Sequence, residues 1–152
     1  ANPNFWHQAK RNKSDIVLKS LASSGGMLGF SIYPHHLKNA SNCSLSDFCE
    51  MVAKTADLMK GTSSLGIGSD LCQDHPDSIV EWMRNGRWTK TLDYGEGSLE
   101  NAGFPKQPEW FTNNSDFPKL EKGLLKTGFS RTEIDGILGN NWYEFFKTSF
   151  GR

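Results

Sequence analysis

The chain has 152 residues, enough for one domain with a substantial core, since a domain of this size hides roughly two thirds of its unfolded surface. Seventeen basic and seventeen acidic side chains cancel, and no Lys/Arg cluster alternates with aromatics, which argues against a nucleic-acid or anionic-membrane partner. No apolar run approaches the ~20 residues that span a bilayer, and the opening ANPNFWHQAK has neither the charged start nor the apolar stretch of a signal peptide.

The first predicted helix follows the polar loop Lys10-Arg11-Asn12-Lys13. Ser14 is its candidate cap, Ile16, Val17 and Leu21, with Leu18 less firmly placed, are its apolar positions, expected to share one face, and Gly25-Gly26 is its stop. Residues 27–33 read as a strand closed by Pro34, and 44–60 as a helix with Ser44 and Asp47 as a capping pair and Gly61 at its end. Its expected inner face holds Leu45, Phe48, Val52 and Met59, and a second strand is predicted at 65–69. Helix, strand, helix, strand at this spacing is the pattern of βα units around a parallel sheet. Asp77 is a candidate cap for a helix over 78–85, with Gly86 after it. Residues 87–116 are too long for an ordinary connection; they form a functional loop, an arm to a partner or a surface insertion, and Trp88, Tyr94, Phe104, Trp110 and Phe111 predict that they pack on something. A helix over 119–126 follows, and then Ser130 and Glu133 form a capping box ahead of Ile134, Ile137, Leu138, Trp142, Phe145 and Phe146, all expected to face the core. Two strands do not complete a parallel sheet, so the fold read here is part of a larger one.

In parallel α/β folds ligands sit beyond the carboxyl ends of the strands, which gives Asp70, ending the second strand, the best geometric claim to chemistry. A loop or helix-capping acid is the alternative. Asp70, Asp74, His75 and Asp77 carry metal-ligating groups, but one short irregular loop lacks the rigid spacing of known sites. His35-His36 lie near the first strand's end as neighbours whose side chains point apart, and His7 stands alone. Arg11 either grips a substrate carboxylate through paired hydrogen bonds or is simply solvated. Cys43, Cys49 and Cys72 are odd in number and lack CxxC spacing, which favours free thiols over disulfides or a cysteine zinc site. Asn12, Asn39, Asn42 and Asn113 head Asn-x-Ser triplets of low specificity, and no phosphate loop, GxSxG elbow or HExxH occurs.

Taken together, Arg11-Asn12 before a capped helix, Gly25-Gly26-Met27-Leu28 opening a strand, Gly66-Ile67-Gly68-Ser69-Asp70 ending another, and the closing segment 130–150 resemble the C-terminal half of the membrane (renal) dipeptidase family, the M19 zinc peptidases of the amidohydrolase type. The resemblance is strongest over 11–33, 64–86 and 117–148 and lapses over about 87–116; the joint order of the motifs carries it. It implies an α/β fold, the C-terminal part of a (β/α)8 TIM barrel, with residues 1–152 supplying its last two strands and surrounding helices. It implies two zinc ions bound by residues upstream of this chain, with none of its own histidines at a ligand position. It implies that Arg11 binds the free carboxylate of a dipeptide and that Asp70 binds substrate and assists attack by water. Leu71-Cys72-Gln73 stand where many relatives carry Phe-Asp-Gly, which points to a different substrate choice. The implied partners are a dipeptide or small peptide-like substrate and the N-terminal half of the barrel, with a homo-oligomer left open and no nucleic acid. Two other readings stand beside this one: a barrel-derived subunit without catalysis that binds through the aromatic loop, and a free-standing small α/β domain.

Overall fold

The computed structural model describes residues 1–72, 74–85, 92, 94, 98–100 and 103–151. Helix α1 (Asp15–Ser23) begins where Ser14 turns extended and its carbonyl accepts the Leu18 N–H at 3.0 Å; the Ser14 side chain makes no capping bond. Only Leu18 of this helix is buried, with Leu21 and Ala22 packed beside it. Ile16, expected on the same face, is 77% exposed, and Val17 is exposed too. The reason is angular, because two residues back from Leu18 is about 160° round the helix.

Strands β1 (Leu28–Phe30) and β2 (Leu65–Ile67) pair in parallel with Leu28 opposite Leu65, Gly29 opposite Gly66 and Phe30 opposite Ile67. Both are shorter than the predicted stretches. Two more ladder bonds, Gly68 N–H to Phe30 O and Ile32 N–H to Ser69 O, each 3.0 Å, carry the pairing a little further. It stops where the Asn2 side chain takes over the Ser31 backbone and Pro34 starts a 3-10 turn, Pro34–His36.

One face of the sheet, with Leu28, Phe30 and Leu65, meets helix α2 (Leu45–Met59). That helix is capped as its sequence predicts: Ser44 Oγ accepts the Asp47 N–H at 3.0 Å and donates to the Asp47 carboxylate at 2.6 Å. Phe48 meets Phe30 edge to face at 6.2 Å between ring centres, and Val52 and Met59 are buried on the same side, while Leu45 is half-buried. The helix ends on Lys60 in the left-handed region.

The other face of the sheet is lined by Gly29 and Gly66, and the Trp142 indole lies directly on it. A Cβ on Gly66 would stand 2.3 Å from Trp142 Nε1, and one on Gly29 would stand 3.1 Å from Trp142 Cζ2. The indole N–H donates to Ile67 O at 3.1 Å, and the neighbouring Asn141 amide donates to Thr62 O at 2.7 Å and Leu65 O at 2.8 Å. Glycine is required here because the indole occupies the space a side chain would fill.

Helix α3 (Asp77–Arg84) opens after Pro76, with Asp77 as its first residue rather than its cap. The Asp77 carboxylate accepts the Phe104 N–H at 2.9 Å instead, so it ties the helix to the long connection. Gly86 and Trp88 lie outside the described residues. The end of the connection packs as its aromatics predict: Phe111 is fully buried, and Trp110 donates to Cys43 O at 2.7 Å with its ring 5.2 Å from Phe48. Asp116 then closes a tight turn, accepting from the Thr112 N–H and hydroxyl and the Asn113 N–H and pairing with Lys119 at 2.7 Å.

Helix α4 (Phe117–Thr127) lies against α2, and α5 (Arg131–Asp135) starts from the predicted capping box, Ser130 and Glu133 bonding each other's backbone N–H. Ile134 and Ile137 are buried as expected. Ile137 lies within a wide turn, Gly136–Asn140, which contains extended Gly139 and redirects the chain into α6 (Asn141–Phe150). Among its described side chains none is fully buried, which corrects the core-facing expectation for Phe145 and Phe146: the turn resets the helical phase, and Phe146 is 50% exposed. The rings stack on each other instead, Trp142 on Phe146 at 5.7 Å and Phe146 on Phe150 at 6.1 Å.

Candidate functional site

The candidate site lies at the carboxyl ends of β1 and β2. Past β2, Ser69 still accepts from Ile32, and Asp70 then adopts a left-handed backbone with φ of 58°. Aspartate tolerates this region better than most side chains. Asp70 is exposed, and its carbonyl lies 3.9 Å from the half-buried Cys72 thiol.

Past β1 the chain is held by buried amides. Asn2 Oδ1 accepts the Ser31 N–H at 2.9 Å while its Nδ2 donates to Ser31 O at 2.9 Å and His36 O at 3.1 Å. The Asn2 side chain thus reproduces the bonds of a neighbouring strand. Asn12 makes the complementary set: Oδ1 accepts the Asn2 N–H at 2.9 Å, and Nδ2 donates to His7 O at 2.9 Å and His36 O at 3.1 Å. Beneath them Ser31 Oγ and His36 Nδ1 are 2.8 Å apart. Asn2, Asn12, Ser31 and His36 are all buried, and a buried amide is tolerated only when its donors and acceptors are met.

Arg11 is exposed beside Asn12, on a loop whose neck is closed by a bridge between Pro3 and Lys13. The bonds of that neck are Asn4 N–H to Lys13 O and Lys13 N–H to Asn2 O, both 2.8 Å. Compact loops with joined ends present side chains on a fixed base. Asn12, next to Arg11, bonds Asn2 and His36, and Asn2 bonds Ser31, so the Arg11 loop is tied to the chain just past β1. Asp70 follows Ser69, which accepts from Ile32 just past β1. The two residues singled out by sequence therefore sit on segments at the same end of the sheet.

The acidic loop after Asp70 does not assemble a centre. Asp77 is bonded to Phe104, Asp74 and His75 are exposed, and among the described residues no three His, Cys, Asp or Glu are placed to hold a metal ion. His36 is buried on Ser31 and His35 is half-buried, and both rings lie against Tyr33, their centres 5.2 and 5.4 Å from its own; His7 contributes its carbonyl to Asn12. Cys43 and Cys49 are buried free thiols. The residues that sequence reading missed are Asn2, Ser31 and the amide of Asn12. The sequence marks Asn12 through its Asn-x-Ser triplet and the Arg11-Asn12 step but says nothing of its amide, and isolated buried amides leave no periodic pattern to find.

No protein-family model matches the chain, and no curated protein matches it. Solved structures do. A crystal structure of an amidohydrolase from Pseudomonas aeruginosa aligns with a TM-score of 0.83 and 27% identity over 99% of this chain and 44% of that one. The dipeptidase AC, a metallopeptidase of family M19, aligns with a TM-score of 0.65 and 17% identity over 93% of this chain and 34% of that one. The chain thus has the fold of part of two hydrolases and spans less than half the length of either.

Proposed function

We propose that this chain is the C-terminal part of a metal-dependent hydrolase of the M19 dipeptidase type, built on a (β/α)8 barrel whose other strands lie outside these residues. The observation that supports the reading is that the Arg11 loop, tied through Asn12 and Asn2 to the chain past β1, and Asp70, just past β2, both lie at the carboxyl ends of two parallel strands, the end where such folds keep their chemistry. On this reading the zinc ions are held by residues upstream of this chain; among the described residues no three His, Cys, Asp or Glu are placed to hold an ion. When bound, such ions polarise a carbonyl and lower the pKa of water.

The roles of this chain's residues follow from their chemistry. The Arg11 guanidinium offers two parallel N–H groups to the free carboxylate of a dipeptide and fixes which end of the substrate enters. Asp70 accepts the proton of the attacking water as the water oxygen bonds to the peptide carbonyl carbon. It returns that proton to the leaving amine as the C–N bond breaks. Cys72 beside Asp70 gives this site its own lining for the second substrate side chain.

In the intact protein, Asp70→Asn is expected to lower kcat by roughly 10²- to 10⁴-fold at unchanged metal content, and Arg11→Ala to raise KM for substrates with a free carboxylate. Full activity in Asp70→Asn sinks the reading. An intact protein with no bound metal supports instead a barrel-derived assembly subunit. For that alternative Trp110 and Phe111 are poor contacts, because they are spent on the chain's own core.

A further inference from the structure

The Arg11 loop is held by one side chain more than by any other, and that side chain is the immediate neighbour of Arg11. The Asn12 amide reaches three separate pieces of chain: the Asn2 N–H beside β1, the His7 carbonyl inside the loop, and the His36 carbonyl in the turn after β1. Its own N–H donates to Ala9 O at 3.1 Å, within the same loop. Asn12 is 5% exposed, and both ends of its amide are used in opposite senses, one as acceptor and one as double donor. No other residue of that length does both: Asp offers no donor, Leu neither group, and Ser too short a reach.

We infer that Asn12 is a positioning residue that sets where the Arg11 guanidinium stands relative to the end of the sheet, and through it the selectivity for substrates with a free carboxylate. This rests on the role proposed for Arg11. The geometry gives the reason. Arg11 has an exposed side chain with a long flexible stem, so its base is what the fold can fix. The loop is closed at its neck, Pro3 to Lys13, and is tied through Asn12 to the turn that follows β1. Asn2 completes the anchorage by bonding Ser31 and His36, so Asn12 grips a base that is itself locked. Fixing the arginine in advance removes an ordering cost when the carboxylate arrives, and a displacement on the ångström scale at such a clamp is enough to lose much of its effect.

The test uses the intact protein and a pair of substrates, a dipeptide with a free carboxylate and the same dipeptide as its C-terminal amide. The readout is the ratio of their kcat/KM values. Arg11→Ala is the reference: if it leaves the preference for the free carboxylate intact, the role of Arg11 fails, and the reading of function fails with it. With that preference lost in Arg11→Ala, Asn12→Asp is expected to lower it about 10-fold or more, mainly through KM for the free acid. Asn12→Asp added to Arg11→Ala should lower the ratio no further. Asn12→Gln, which keeps the amide but moves it outward, should also lower the preference. Equal losses on both substrates, an unchanged ratio, or failure of both single variants to fold overturns the inference and leaves Asn12 as a structural amide only.

Discussion

Gly66→Ala is the sharpest probe of how the strands are held. The added methyl would lie 2.3 Å from Trp142 Nε1, 2.7 Å from Cδ1 and 2.9 Å from Cε2, all atoms of one rigid ring. Restoring ordinary contact distances requires the indole to retreat by roughly 1 Å, which breaks its 3.1 Å bond to Ile67 O. Overpacking of this kind costs about 1–3 kcal/mol and the lost hydrogen bond about 1 kcal/mol. Alanine recovers roughly 0.5–1 kcal/mol in the strand. The expected net loss is about 2 kcal/mol. Trp142→Ala alone should cost about 3 kcal/mol. In the double variant, however, the methyl added at position 66 enters space that the indole has left, so the combined loss should fall short of the two single losses by at least about 1 kcal/mol. Urea unfolding of the intact protein, followed by far-UV circular dichroism because Trp142→Ala removes a fluorophore, measures all four proteins. Stability of Gly66→Ala within about 0.5 kcal/mol of the wild type, or additive single losses, would refute the packing described.

Two further expectations concern titratable groups. Burial pushes the Cys43 thiol up to about 11 and the Cys49 thiol up to about 12, while Cys72 is raised by burial and then by Asp70 at a more open position. Because the thiolate is the reactive form, iodoacetamide at neutral pH should label Cys72 first and reach Cys43 and Cys49 only on unfolding; peptide mass spectrometry showing all three labelled together would contradict this. Asp116 is held well below the usual carboxylate range, first by Lys119 and then by the Thr112 N–H. Its folded pKa is depressed, so its contribution is present above the unfolded value near 3.9 and fades as pH falls through that value toward the folded one. Asp116→Asn should therefore unfold at lower temperature than the wild type at pH 7, with the gap narrowing below about pH 4; a gap that stays constant from pH 7 to pH 3 would show that the carboxylate's charge is not what holds the turn.

The local devices were legible in the sequence because their partners are three residues apart. Ser44 with Asp47 and Ser130 with Glu133 are read directly, and both form as expected. The strands were legible in place but not in length, since their ends are decided by Asn2, distant in sequence, and by the Pro34 turn. Asp70 and Arg11 could be singled out by position and resemblance, but the amides behind Arg11 could not, because a buried Asn carries no periodic signal. The aromatics of α6 misled for a related reason: their spacing suits a core helix, yet the chain turns at Gly139 and α6 meets the sheet through the Trp142 indole and the Asn141 amide.

The bond from Trp142 to Ile67 joins residues 75 positions apart, and those from Asn141 to Leu65 and Thr62 span 76 and 79. At a translation speed of about 5–20 residues per second, β2 is made roughly 4–15 s before the indole that covers its glycine face. During that interval the newly made strand has its helical side to pack against and nothing from α6 on its other side. A late frameshift or premature stop, many residues beyond β2, would therefore injure the sheet as a lesion within it does.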